Sequence, residues 1–196
     1  MHQRPGIRQW MRLGLLAVVL APSPAFAADY APVNQLLRAG QFIEALAKAD
    51  QYLVNNPRDP QMRFLKGLIQ QDSGKPAEAI ATYTRLIEDY PELPEPYNNV
   101  AVLYAGQGQF DKARASLETA IRTSKGYAVA HENLGDVYAR LASQSYSQAL
   151  QLDASNTALA PKLALIRQLV GSPTAARSAA ATDKSRPPAP AASAAR

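Results

Sequence analysis

Cysteine is absent from this chain of 196 residues, and only two histidines occur, His2 and His131. Without thiols there is no disulfide, no thiolate metal centre and no lipid-modified N-terminal cysteine. One histidine beyond the first few residues also removes the usual means of building a metal site or a general base. His131 has Glu132 and Asp136 near it in sequence, but Glu132 lies about 100° round a helix from it. His131 is therefore read as a packing or surface residue. Acidic pairs such as Glu88 and Asp89 would need to face each other across a cleft to act as a glycosidase dyad, whereas they fall on ordinary helix-surface positions. Gly106-Gln107-Gly108 ends a helical pattern instead of opening one, so it is a turn and not a phosphate loop. No catalytic residue, cofactor or metal is assigned, and the chain is read as a non-enzyme.

Charge of one sign is also scarce in the middle of the chain. The formal net charge is +5, yet the excess sits at the ends. Arg4, Arg8 and Arg12 precede an apolar run, Leu13 to Ala21, and Ala25-Phe26-Ala27 places small residues where signal peptidase reads them. Residues 1–27 are expected to be a signal peptide cleaved after Ala27, and the protein to be exported, to a bacterial periplasm in particular. The nine apolar residues fall well short of the ~20 that cross a bilayer as a helix, so no stable membrane span is expected after cleavage. At the other end, residues 171–196 hold Arg177, Lys184, Arg186 and Arg196 among Ala, Pro, Ser and Thr. Such a segment has too little apolar surface to fold, and a disordered Ala/Pro-rich tail is expected. Between them, residues 28–170 are close to neutral, which withdraws the main support for a nucleic-acid partner.

What that middle part does contain is a period. Gly40, Gly74 and Gly108 stand 34 residues apart; Ala45, Ala79 and Ala113 follow five later, and Pro57 and Pro91 close the first two copies. Tyr97, Val100, Ala101 and Tyr104 make one apolar helical face before Gly108, and Ala113, Leu117, Ala120 and Ile121 make another after it. The second copy repeats this with Gly67 before its turn and Ala79, Tyr83, Leu86 and Ile87 after it. Small residues at Gly67, Ala101 and Gly135 allow close helix approach, with Tyr83, Tyr104 and Tyr138 filling the space between repeats. Each period is two helices around a glycine turn, and such units bury their apolar faces by stacking.

These residues resemble the tetratricopeptide repeat (TPR) family, most closely from Pro60 to about Lys125. The resemblance implies an all-α, right-handed helix-hairpin solenoid with repeats at about 28–59, 60–93 and 94–127. In the first copy Val33 and Leu36 take the small and aromatic places, and Pro32 is expected to shorten the first helix. The fourth copy, 128–154, departs most. Ala142 replaces the turn glycine, and Tyr146, Ala149 and Leu150 arrive five residues early. One long helix from about Ala128 to Leu152 is expected there. A break at Asp153 to Thr157 should follow, then a capping helix within 155–170 carrying Leu159, Leu163, Ile166 and Leu169.

The family's concave groove is lined by the first helix of each repeat. Carried onto this chain, the resemblance implies groove positions at Asn34 and Leu37, at Phe64, Leu65 and Leu68, at Asn98, Asn99 and Val102, and at Glu132, Asn133 and Asp136. Asparagine amides can pair with the backbone of an extended peptide whatever its side chains. The clamp by which some members hold a C-terminal carboxylate is not matched, because Glu132 and Asp136 would repel it. The expected function is protein–protein interaction: an exported adaptor or assembly factor binding a neutral or basic, partly apolar segment. The alternative is an accessory subunit or recruiter for a cell-wall-remodelling or periplasmic folding enzyme.

Overall fold

The computed structural model describes residues 25–171; the expected tail beyond Gly171, and all of the expected signal peptide but its last three residues, lie outside them. Eight helices and no strand occur among the described residues: α1 (Ala25–Arg38), α2 (Phe42–Asn55), α3 (Pro60–Asp72), α4 (Pro76–Asp89), α5 (Pro94–Gly106), α6 (Phe110–Thr123), α7 (Ala128–Leu152) and α8 (Leu159–Gly171). Successive helices pack on one another, giving the hairpin stack of an all-α solenoid.

The three spaced glycines do the same backbone work. Gly40, Gly74 and Gly108 have φ of 72°, 75° and 74°, a left-handed conformation that side chains with a Cβ resist. Around each, the glycine N–H reaches back to the third preceding carbonyl and the next N–H to the fifth before it, as in Gly108 N to Ala105 O and Gln109 N to Tyr104 O. That pair of bonds is the Schellman ending of a helix. Prolines then set the starts: Pro60, Pro76 and Pro94 are each the first helical residue, where no N–H partner is lost. Asp59 caps α3 by accepting from Met62 N at 2.7 Å.

Ala142 offers no such turn, and α7 accordingly runs unbroken from Ala128 to Leu152, the single long helix expected from the fourth copy. Three local expectations are corrected. Pro32 lies inside α1, which already begins at Ala25; its fixed φ suits a helix even though one backbone bond is lost. Gly135 and Tyr138 do not repeat the close packing of the second copy. Space is open above Gly135 and Tyr138 is 48% exposed, because α7 continues where an antiparallel second helix would have stood. In α8, Leu163 is buried and Leu159 and Ile166 are half-buried, but Leu169 faces out at 56% exposure.

One core runs from α1 to α5 through Val33, Ala45, Met62, Phe64, Ile69, Tyr83 and Leu86. A second joins α5, α6 and α7 through Ala101, Ala113, Leu117, Ala130 and Val137.

Candidate functional site

Helices α3, α5 and α7 are the first helices of their repeats and present the candidate groove positions. Sequence places apolar residues on α3, amides on α5 and carboxylates on α7. Six of the eleven candidate positions are buried, so their side chains do not line an open groove: Phe64, Leu65, Leu68, Asn98, Asn99 and Asn133 are each at most 4% exposed. Asn34, Leu37, Val102 and Asp136 are half-buried, and Glu132 is exposed.

Phe64 is held by Tyr83 of α4, ring centroids 5.6 Å apart and tilted by 50°. Tyr83 in turn lies flat against Gly67: a Cβ built on that glycine would sit 2.4 Å from a ring carbon. Glycine is therefore required at 67 by packing, not by backbone angle. From the Tyr83 hydroxyl a polar ladder crosses the core. Asn99 Nδ2 donates to Tyr83 OH at 3.3 Å, Asn98 Nδ2 to Asn99 Oδ1 at 3.2 Å, and Asn133 Nδ2 to Asn98 Oδ1 at 2.8 Å. The asparagines expected to grip a peptide backbone are thus bonded to one another, tying α4, α5 and α7 together. Buried amides need such partners, because leaving one unpaired costs ~1–3 kcal/mol. Burial pushes the Tyr83 phenol well above the ordinary tyrosine range, while the Asn99 bond opposes the shift.

Toward α7 the surface changes character. Glu132 and Asp136 stand one helical turn apart on the same face. Asp136 shares its niche with Ala101, Val102, Leu117 and Arg140. Arg140 sits over the Phe110 ring, 5.8 Å from its centroid. Asn34 is spent locally, donating to Tyr30 O at 3.0 Å, and Leu37 packs on the first core. Two further polar residues belong here that the repeat pattern did not single out. Gln70 is 5% exposed and its Oε1 accepts from Thr82 Oγ1 at 2.7 Å; Glu95, in the first turn of α5, is 6% exposed. Glu95 had a legible signal, an acidic residue directly after a helix-starting proline. Gln70 had none beyond standing where the other copies carry Tyr104 and Tyr138.

His131 is exposed, its Nε2 3.2 Å from Lys125 O, and no cluster of metal-ligating side chains occurs among the described residues. No described helix is long and apolar enough to cross a membrane.

Comparison with known proteins agrees with this architecture. Tetratricopeptide repeat profiles match residues 30–94 and 101–162, and a second such profile matches 70–130. The chain is 36% identical over 75 residues to the TPR repeat-containing thioredoxin TTL4 of Arabidopsis thaliana, covering 38% of this chain and 11% of that protein. Over 95 residues it is 28% identical to the probable biofilm formation methyltransferase WspC of Pseudomonas putida, covering 48% and 22%. It therefore spans only a small part of these relatives. Among solved structures, MamA superposes with a TM-score of 0.54 at 17% identity, over 79% of this chain and 86% of that one. A tetratricopeptide repeat protein from Parabacteroides merdae gives 0.54 at 19%, over 76% and 61%. These structural likenesses speak to fold alone. With matched repeats covering well over half of its length, the chain belongs to the tetratricopeptide repeat family.

Proposed function

We propose that this protein is an exported, non-catalytic adaptor or assembly factor that holds an extended segment of a protein partner along its concave face. TPR modules act in protein–protein interaction, which is the coarse part of the reading. Its finer part rests on the acidic Glu132 and Asp136 of α7 beside the half-buried Val102 of α5, since Phe64, Leu65 and Leu68 of α3 are spent in the core. That surface suits a neutral or basic, partly apolar segment. Export rests on the basic and apolar composition of residues 1–27.

Binding of a synthetic peptide with an apolar half and a basic half should weaken several-fold at low ionic strength in the double variant Glu132→Ala/Asp136→Ala. The difference should shrink as salt screens the carboxylates, with a Debye length falling to ~8 Å at physiological strength. Equal affinities in low salt would refute the acidic wall. A second reading, an accessory subunit working beside an enzyme, draws support from the TTL4 name, which joins TPR repeats to a thioredoxin.

A further inference from the structure

We propose that the niche between α5, α6 and α7 is a recognition subsite for a lysine side chain of the partner segment, with the ammonium seated on Asp136 and the stem along Val102 and Ala105. This rests on the extended-segment reading above and names the side chain that such a segment presents.

Three helices build the niche. Ala101 of α5, Leu117 of α6 and Val137 of α7 are buried and make its inner wall, while Val102, Ala105 and Asp136 are half-buried at its rim. The Asp136 carboxylate is left without a partner there. Its Oδ2 is shielded from solvent and accepts no hydrogen bond, and no described residue gives Asp136 an ion pair. A carboxylate oxygen withdrawn from water without a donor is costly, because nothing replaces its lost hydration. The terminal torsion of an aspartate is broad, so a small rotation turns either oxygen toward the opening.

A partner within the chain stands close by and is used elsewhere. Arg140 lies four residues on, the spacing at which helical ion pairs form. Its guanidinium instead sits over the Phe110 ring of α6, 5.8 Å from the centroid. Packing does not demand the carboxylate either. Leu68, Val102 and Asp136 occupy one repeat position, 34 residues apart, and the two earlier copies fill it with an apolar side chain. Glu132, one turn before Asp136 on the same face, adds negative charge that draws a cation toward the niche.

Size chooses between the cations. The enclosed space has room for the centre of one water-sized group, about 10 Å³. An ammonium is compact and carries its donors on a single nitrogen, whereas a guanidinium is a flat, wider fork. The first enters and the second is held at the rim. The methylene stem of lysine then covers the apolar rim, as long cationic side chains do on hydrophobic surface.

n-Butylammonium is the lysine side chain without its backbone, and it tests the subsite with no peptide present. Added to the full chain at about millimolar concentration, it should shift the methyl resonances of Val102, Ala105 and Val137 saturably, and n-butanol and n-butylguanidinium should not. Asp136→Asn keeps the size and removes the charge, and should weaken the response about tenfold. Ala105→Leu keeps the charge and narrows the mouth, and should weaken it as well. Glu88→Gln, which removes an exposed carboxylate on α4, should leave it unchanged. Methyl resonances of the core around Met62 and Ile69 report that each variant stays folded. A niche that takes only water gives no shifts, and that result would overturn the proposal. So would equal responses to butylammonium and butylguanidinium, or a response that survives Asp136→Asn. In a bound peptide with a single lysine, arginine or norleucine in its place should cost about tenfold in the unaltered chain and make no difference in Asp136→Asn. Butylammonium binding as stated while no peptide binds would uphold the subsite and remove the extended-segment reading, so the two failures remain distinct.

Discussion

Tyr83 concentrates more of this fold than any other single side chain. It is fully buried, packs at a tilt on Phe64, lies against Gly67 and accepts the Asn99 amide. A phenol in that position must stay neutral, since burial opposes the phenolate. Tyr30 is shifted in the same direction, by desolvation and by donating to Asp59 Oδ2 at 2.6 Å. Both groups have folded-state values raised above the unfolded value of ~10. Their contribution is thus fully present below pH ~10 and is lost as pH rises beyond it. The urea midpoint should hold steady between pH 7 and 9 and fall steeply above 10. Tyr83→Phe should lower stability at neutral pH by ~1–2 kcal/mol, since Asn99 loses its acceptor, and should make the alkaline fall shallower. An equally steep fall in that variant would show that Tyr83 is not the titrating group.

At the level of elements, the same repeat position has opposite demands in two copies. Gly67 of α3 faces a tyrosine ring across a hairpin, whereas Gly135 of α7 faces open space. Gly67→Ala should destabilise by ~1–3 kcal/mol through overpacking. Gly135→Ala should stabilise by up to ~1 kcal/mol, the helix-propensity gain of alanine over glycine. Two urea titrations decide it, and changes of the same sign in both would mean that α7 has a packing partner at Gly135. The contrast also marks what was legible in the sequence. Turn glycines, the closing Pro57 and Pro91 and the five-residue shortening after Ala142 are local signals, and they read through to α2–α7 in order. The outward face of Leu169 and the open flank of Gly135 depend on which helix is missing beside them, which no local pattern encodes. Burial of Asn98, Asn99 and Asn133 was equally hidden: the family resemblance points these amides at a partner, while their pairing is settled by distances between α4, α5 and α7.

Across the whole molecule, a solenoid has no single centre, so its stability is distributed along the stack by neighbour contacts. Here that distribution is uneven. α3 and α5 are buried on nearly all faces, while α8 buries Leu163 and leaves Leu165 and Leu169 at 68% and 56% exposure. An end helix attached through so little surface opens by itself, without unfolding its neighbours. Amide hydrogen exchange should therefore be slowest in α3 to α5 and faster in α8 by roughly a hundredfold or more. α7 should divide: its first half, holding Ala130, Asn133 and Val137 inside, should follow α5, and its second half should follow α8. Uniform protection from α1 to α8 would mean one cooperative unit and would remove the basis for this division. If the division holds, Val102 on α5 and the carboxylates on α7 share the rigid part of the stack. A bound segment then meets a preformed surface, and the ordering it requires falls on the segment and not on the protein.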